Sequence, residues 1–158
     1  MHTLIHTGSC RFQTPAQAQK AAVFLSHITS DPDRAYLGLW EIFINAIEHG
    51  NLGISYSEKN EMLQSNNFEE LICTRLLAIE YEKRHVCVDF SIREDDVFFD
   101  IKDEGAGFNW HPYLMIDSEI LLQKNGRGIA VAQTMSFDEI VYLGNGNHVQ
   151  CTIRCRAD

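Results

Sequence analysis

Apolar residues recur with a helical period in the first half of the chain. Thr14 and the proline after it open such a pattern to about residue 29, because threonine caps helices and proline suits their first turn. Asp31-Pro32 opens a second helix, which is predicted to end near Gly50. A short strand over residues 3–7 is predicted before these helices, and residues 57–84 are predicted to be helical in part. The core-facing stripe predicted for the second helix is Leu37, Trp40, Ile44 and Ile47.

From Val86 the period changes to two, which is typical of strands. Residues 86–91 and 97–101 predict one antiparallel hairpin, and residues 139–143 and 148–154 predict a second across a Gly-Asn-Gly turn. Residues 126–135 are predicted to form a helix behind a glycine turn. These elements predict an α+β fold with helices on one face of a mixed, mostly antiparallel sheet. Since no linker-like stretch interrupts the pattern, a single domain over residues 1–158 is predicted.

Composition narrows the possible partners. The chain has 13 basic and 22 acidic residues, a formal net charge of -9, which argues against direct nucleic-acid binding. An acidic surface fits a basic protein partner, although the charge is equally explained by solubility. No apolar run approaches the length of a membrane span, and the N-terminus lacks a basic segment followed by an apolar one. We therefore expect a cytoplasmic protein without a membrane partner.

The five cysteines are scattered and contain no C-x-x-C pair, so neither a disulfide framework nor a zinc site is indicated. We expect reduced, mostly buried thiols. Cys151 and Cys155 lie four residues apart in the predicted last strand, which places both on one face as adjacent core positions.

Three short segments carry the candidate chemistry, and the first lies in the second helix. In residues 40–50, WEIFINAIEHG, Glu41 and Asn45 are one turn apart and present a carboxylate and an amide oxygen to the same space. A helix can supply a Mg2+ ligand and a neighbouring base in this way. A solvated polar helix face would show the same spacing.

The other two segments are rich in glycine. In residues 103–108, DEGAGF, Asp103 follows a strand, and Gly105 and Gly107 permit the backbone to turn close to a ligand. In residues 125–130, NGRGIA, free backbone N–H groups precede a predicted helix, where phosphates bind readily. Either segment alone is compatible with an ordinary loop or turn.

In their order and separation, the three segments resemble the N, G1 and G2 boxes of the GHKL ATPase superfamily over about residues 36–154. The resemblance implies a two-layer α/β sandwich of the histidine kinase-like ATPase (Bergerat) type that binds ATP with Mg2+. Residues 45–51 and 126–130 look most similar to the branch of anti-sigma factors that are serine/threonine protein kinases. Those proteins phosphorylate anti-anti-sigma (STAS) proteins and hold sigma factors in bacteria.

The resemblance also implies roles for individual residues. Glu41 would be the general base for a substrate hydroxyl, Asn45 would coordinate Mg2+, and Asp103 would bind the adenine amino group. Gly105 and Gly107 would shape the adenine side of the pocket. Where the family often carries Gly-Thr-Thr, this chain has Gly-Asn-His at residues 146–148, so Asn147 would be the polar adenine contact. The phosphates would be held by Lys124, in a lid over about residues 117–125, and by Gly126, Arg127 and Gly128.

The resemblance implies an anti-sigma-factor-like kinase with a STAS protein, and possibly a sigma factor, as partner. A homodimer built on the N-terminal strand and helix is also implied. The alternative is a catalytically silent module that uses ATP only to set its affinity for a partner. The catalytic domain of a histidine kinase is a third hypothesis. It is disfavoured because the residues before the first motif segment have room for only one short helix and not for a dimerisation hairpin, and because His27 lacks the acidic neighbour usual for a phosphoacceptor.

Overall fold

The computed structural model describes residues 4–109 and 135–155. Along these residues one strand is followed by the helices and then by the remaining four strands, so the helices lie in the first half as their spacing predicts. The elements are β1 (Leu4–Phe12), α1 (Pro15–Ser26), α2 (Pro32–Asn45), a π-helical segment (Ala46–Asn51), α3 (Tyr56–Gln64), α4 (Phe68–Leu77), β2 (Val86–Arg93), β3 (Asp96–Lys102), β4 (Glu139–Leu143) and β5 (His148–Ile153). The predicted helix over residues 126–135 falls almost wholly outside the described residues.

The five strands form one sheet in the order β1-β2-β3-β5-β4. Each strand pair between described residues is antiparallel, so the described sheet has none of the parallel pairing that a mixed sheet requires. β1 is longer than the predicted residues 3–7, because its pairing with β2 continues to Phe12 opposite Val86. The α+β class and the antiparallel character predicted from the sequence are confirmed.

Local capping explains where the helices begin. The Thr14 hydroxyl accepts a hydrogen bond from the Gln17 backbone at 3.2 Å, and the Gln17 side chain accepts one from Thr14 at 3.3 Å. This capping box starts α1 at the predicted residue. Asp31 accepts a bond from the Arg34 backbone and starts α2, again as predicted, and Ser55 does the same for α3.

The core lies between one face of the sheet and the helices. The alternating residues Val97, Phe99 and Ile101 of β3 are at most 1% exposed, and the Phe12 and Phe43 rings meet at 4.8 Å. The predicted core-facing stripe is correct in part: Ile47 is fully buried and Trp40 packs against the core, but Leu37 is 38% exposed. The residues of α2 that are buried are Ala35, Gly38, Leu39, Ile42 and Phe43.

Both predicted hairpins are confirmed. Glu94 and Asp95 join β2 to β3 with φ values of 48° and 71°, the left-handed backbone that a tight two-residue hairpin requires. β4 and β5 pair from Glu139 opposite Thr152 to Leu143 opposite His148, across the predicted Gly-Asn-Gly turn. The β4–β5 turn lies near the C-terminal end of β3, because His148 pairs with Lys102, and the candidate site lies at this end of the sheet.

The cysteine prediction is wrong in part. Cys151 is buried in β5, but Cys155 lies beyond the end of that strand and is exposed, as are Cys73 and Cys87. The shared-face argument fails because β5 ends at Ile153. Among the described residues, no helix is both long and apolar enough to cross a membrane.

Candidate functional site

The first motif segment spans the end of α2 and the π-helical turn that continues it. Asn45 is the last residue of α2, and the wider turn closes with a hydrogen bond of 2.9 Å from the Leu52 backbone to the Ile47 carbonyl. Single π-turns of this kind are frequent at functional sites. Here the turn carries His49, Gly50 and Asn51, so it determines which backbone surface faces the end of β3.

The second motif segment begins one residue after β3 and turns back on itself. The Gly105 backbone donates to the Asp103 carboxylate at 2.8 Å, and the Asp103 backbone donates to the Asn147 carbonyl at 3.0 Å. The Glu104 backbone donates to the Asn51 side-chain oxygen at 2.7 Å. The loop is therefore fastened both to the π-helical turn and to the β4–β5 connection.

Glycine is required where the two segments meet. A Cβ on Gly105 would lie 2.2 Å from the carbonyl oxygen of Gly50, and a Cβ on Gly50 would lie 2.5 Å from the Asp103 carboxyl carbon. Both distances are shorter than side chains tolerate, so backbone and carboxylate approach as closely as they do only because the two residues lack a Cβ.

The β4–β5 turn packs against the loop that follows Asp103. Gly107 has a φ of 85°, and a Cβ there would lie 2.1 Å from the Asn145 carbonyl oxygen. The Asn145 amide donates to the Ala106 carbonyl at 2.8 Å, and the Asn147 amide reaches the Gly105 carbonyl at 3.4 Å. Asn147, predicted as a polar contact, thus lies beside the Asp103 loop.

These three pieces surround a cavity of about 510 Å³. Its described lining is mostly apolar and aromatic, with a few polar groups that converge from different elements, a composition typical of small-molecule sites. The Phe108 and Tyr142 rings meet edge to face at 5.8 Å. The polar lining residues that the sequence predicted as functional are Asn45, Asp103 and Asn147.

Asp103 is the carboxylate of this cavity. Its pKa is raised to about 6, chiefly by burial and to a smaller extent by the neighbouring Glu104, while the hydrogen bond from Gly105 and the positive charge of Arg84 oppose the rise. A half-desolvated carboxylate with spare lone pairs can accept hydrogen bonds from a ligand N–H group. This makes Asp103 the strongest acceptor that the described lining offers.

Glu41 lies on a neighbouring part of the helix and is not among the described residues that line the cavity. It is half-buried, and burial raises its pKa, against the opposing charge of Lys59. Glu48, two turns further along, is 5% exposed and accepts a bond from the Lys59 ammonium at 2.5 Å. Lys59 of α3 therefore forms an ion pair with Glu48, and its charge also acts on Glu41.

The structure thus brings Asn45, Asp103, Gly107 and Asn147 to one cavity and places Gly105 against its backbone wall. Four predicted site residues lie outside the described residues: Lys124, Gly126, Arg127 and Gly128. Sequence reasoning assigned no role to Tyr56, Tyr81 and Arg84, which also line the cavity. Their segment contains none of the three motif segments. The signal that could have pointed to them is the presence of aromatic and basic residues within a polar stretch.

The residues present fit a purine nucleotide with a hard cation. Asp103 offers an acceptor to an exocyclic amine, and the aromatic walls suit a planar ring. The lack of a Cβ on Gly50 allows the Asp103 carboxylate to take its place in the cavity wall. Asn45 offers Mg2+ one amide oxygen, which suffices for an ion that takes most of its other ligands from phosphates and water.

No known family model matches the chain, and no curated protein has significant sequence similarity to it. The motif residues and the geometry of the cavity are therefore the support for assigning a function.

Proposed function

We propose that this chain is a GHKL-type protein that binds ATP with Mg2+ in the cavity. One observation carries the proposal: two of the three motif segments, about fifty residues apart in sequence, meet where Gly50 contacts Gly105. Both segments border one cavity, the first through Asn45 and the second through Asp103. Chance loops have no reason to converge with glycine at the point of closest approach. The third segment, residues 125–130, lies outside the described residues.

In this proposal each residue has a separate task. The Asp103 carboxylate accepts a hydrogen bond from the adenine amino group, while Phe108 and Tyr142 form part of the apolar wall that excludes water. The Asn45 amide oxygen is a Mg2+ ligand. Bound Mg2+ supplies charge neutralisation for the phosphates. Lys124, Gly126, Arg127 and Gly128 are proposed to contact the phosphates.

We further propose that the protein is an anti-sigma-factor-like serine/threonine kinase acting on a STAS partner. Glu41 precedes Asn45 by one helical turn, and burial raises its pKa, which suits a general base. It would take the proton of a substrate serine hydroxyl as the serine oxygen attacks the γ-phosphorus and ADP leaves. Phosphoserine on the partner and ADP are then the products.

Calorimetric titration with ATP and Mg2+ tests the binding step. Asn45→Ala and Asp103→Asn are each expected to weaken binding by at least about tenfold, since each removes a group assigned to the ligand. The matched controls are Asn67→Ala and Asp89→Asn, which change the same residue types at exposed positions away from the cavity. Absence of binding by the unaltered chain, or equal loss in the controls, would contradict the proposal.

A catalytically silent ATP-binding module is the second candidate function, and it is favoured by one observation: Glu41 is not among the described cavity-lining residues. Transfer of labelled γ-phosphate to purified STAS proteins separates the two. A kinase is expected to lose transfer in Glu41→Gln, to keep ATP binding, and to be unaffected by Glu61→Gln, an exposed glutamate of α3. ATP binding with no transfer by the unaltered chain would favour the silent module.

A further inference from the structure

Residues 52–84, a polar stretch to which the sequence assigned no chemistry, contribute to the cavity wall. Tyr81 and Arg84, in the connection between α4 and β2, both line the cavity that holds Asp103. The Arg84 guanidinium lies over the Tyr81 ring, 5.1 Å from its centroid. Among the described lining residues, the guanidinium of Arg84 and the carboxylate of Asp103 therefore border the same cavity.

Hydrogen bonds connect Arg84 to the Asp103 loop through Asn51. Arg84 donates from Nη1 to the Asn51 carbonyl at 2.8 Å, and the Asn51 side-chain oxygen accepts from the Glu104 backbone at 2.7 Å. The next residue along the chain, His85, donates from its backbone to the Glu104 carboxylate at 2.6 Å. Residues 84 and 85 thus fasten both Asn51, which is 2% exposed, and the residue directly after Asp103.

The charges around Asp103 have opposite effects. Burial is the main reason that its pKa is raised, the Gly105 hydrogen bond and then Arg84 lower it, and Glu104 raises it. Besides Arg84, the described lining contains two imidazole side chains, those of His49 and His148. The His49 ring is bonded through Nδ1 to the Ile54 carbonyl, and His148 is bonded to Asp100. Arg84 is therefore the cation that counteracts burial of the carboxylate.

We propose that Arg84 is a positioning residue for the ligand-binding carboxylate: it holds the Asp103 loop through Asn51 and places a positive charge on the cavity wall that Asp103 also lines. The proposal rests on the proposed function only for the identity of the ligand. It gives residues 52–84 a role in the chemistry of the site as well as in packing.

Carboxyl-detected NMR titration of the ligand-free protein tests the proposal without ATP. Arg84→Gln keeps a donor for Asn51 but removes the charge, and is expected to raise the pKa of Asp103 by up to about one unit. Arg84→Lys keeps the charge and is expected to leave that pKa near the wild-type value. Arg75→Gln is the matched control, because Arg75 also donates to a backbone carbonyl, that of Leu52, and also lies over Tyr81 at 5.5 Å.

The same variants give a second readout in ATP titrations. A one-unit rise from a pKa of about 6 predicts roughly threefold weaker binding by Arg84→Gln at pH 6.5 and unchanged binding at pH 8.5. Equal Asp103 pKa values in Arg84→Gln, Arg84→Lys and the unaltered chain would overturn the proposal. An unaltered chain that fails to bind ATP would overturn the proposed function, while the NMR titration would still decide the role of Arg84.

If Arg84→Gln does not fold, the unaltered chain provides the test. The nitrogen chemical shifts of the Arg84 guanidinium are expected to change with the same midpoint as the titration of the Asp103 carboxyl group, because the two groups border one cavity. Guanidinium shifts that do not follow the Asp103 titration would overturn the proposal.

Discussion

Substitution of Gly105 by alanine tests the contact on which the whole site depends. The added Cβ would lie 2.2 Å from the Gly50 carbonyl oxygen and 2.5 Å from its carbonyl carbon. Contacts below 3.0 Å are essentially absent from folded proteins, so the two backbones must separate by at least about 0.8 Å. Because both atoms belong to the main chain, no rotation of a side chain can relieve the clash.

The expected cost is that of overpacking a rigid contact, about 1–3 kcal/mol. For a chain of 158 residues this corresponds to a fall in Tm of about 2–12 °C. Thermal and urea unfolding followed by circular dichroism measure it. Any bound nucleotide is expected to be weakened as well, because a shift approaching 1 Å disrupts the alignment of binding groups.

Gly144→Ala separates the clash from a general effect of replacing glycine. Gly144 has a φ of 61°, and a Cβ there would meet nothing within 4 Å, so its cost is limited to backbone strain of about 1–2 kcal/mol without a change at the cavity. Gly105 has no positive φ and so carries no such strain. A Gly105→Ala variant with wild-type stability and wild-type ligand binding would refute the close approach of the two segments.

Three further predictions concern charge and association. Because the folded-state pKa of Asp103 is raised to about 6 from 3.8, its protonation stabilises the fold fully below about pH 4, and this stabilisation is lost as the pH rises through about 6. Asp103→Asn is therefore expected to be about 1–3 kcal/mol more stable than the unaltered chain at pH 7.5, with a difference that vanishes toward pH 4 in urea titrations; a pH-independent difference, or one shared by Asp89→Asn, would contradict this. Lys59→Met leaves the buried Glu48 carboxylate without its cation and is expected to cost about 2–4 kcal/mol, while a double-mutant cycle with Glu48→Gln is expected to show non-additive costs. Phe24, 64% exposed on α1 beside the edge strand β1, is expected to lie in the homodimer interface that the family resemblance implies. Phe24→Glu should then give a monomer by light scattering, and Ile79→Glu, at an 89% exposed position, should not. A monomeric unaltered chain would contradict the interface.

Short-range signals in the sequence predicted the helix starts and the hairpins correctly. Thr14 and Asp31 each cap a backbone N–H three residues away, so the information needed lies within one turn. The same holds for the alternation of β3, whose buried and exposed residues follow one another directly. Such patterns predict the structure correctly because they depend on local geometry and not on what packs against the element.

Spacing alone could not show which side of α2 faces the core. The chain offers apolar residues on more than one side of this helix, and Leu37 competes with Leu39 for the core. The contact of Phe12 with Phe43 shows which side faces β1, and that partner comes from another element. At Leu37, tertiary packing therefore overrides the stripe that spacing favours, whereas Ile47 is buried as predicted.

The candidate site divides in the same way. The sequence by itself was enough to single out Asn45, Asp103 and the glycines as candidate site residues, because they are visible as residue types at motif spacing. Only the tertiary structure decided that Gly50 and Gly105 touch, that Tyr81 and Arg84 join the cavity wall, and that Glu48 takes the Lys59 ammonium. Motif residues follow from local chain geometry, whereas neighbours across a cavity follow from how distant segments pack, and a single sequence contains no direct measure of that distance.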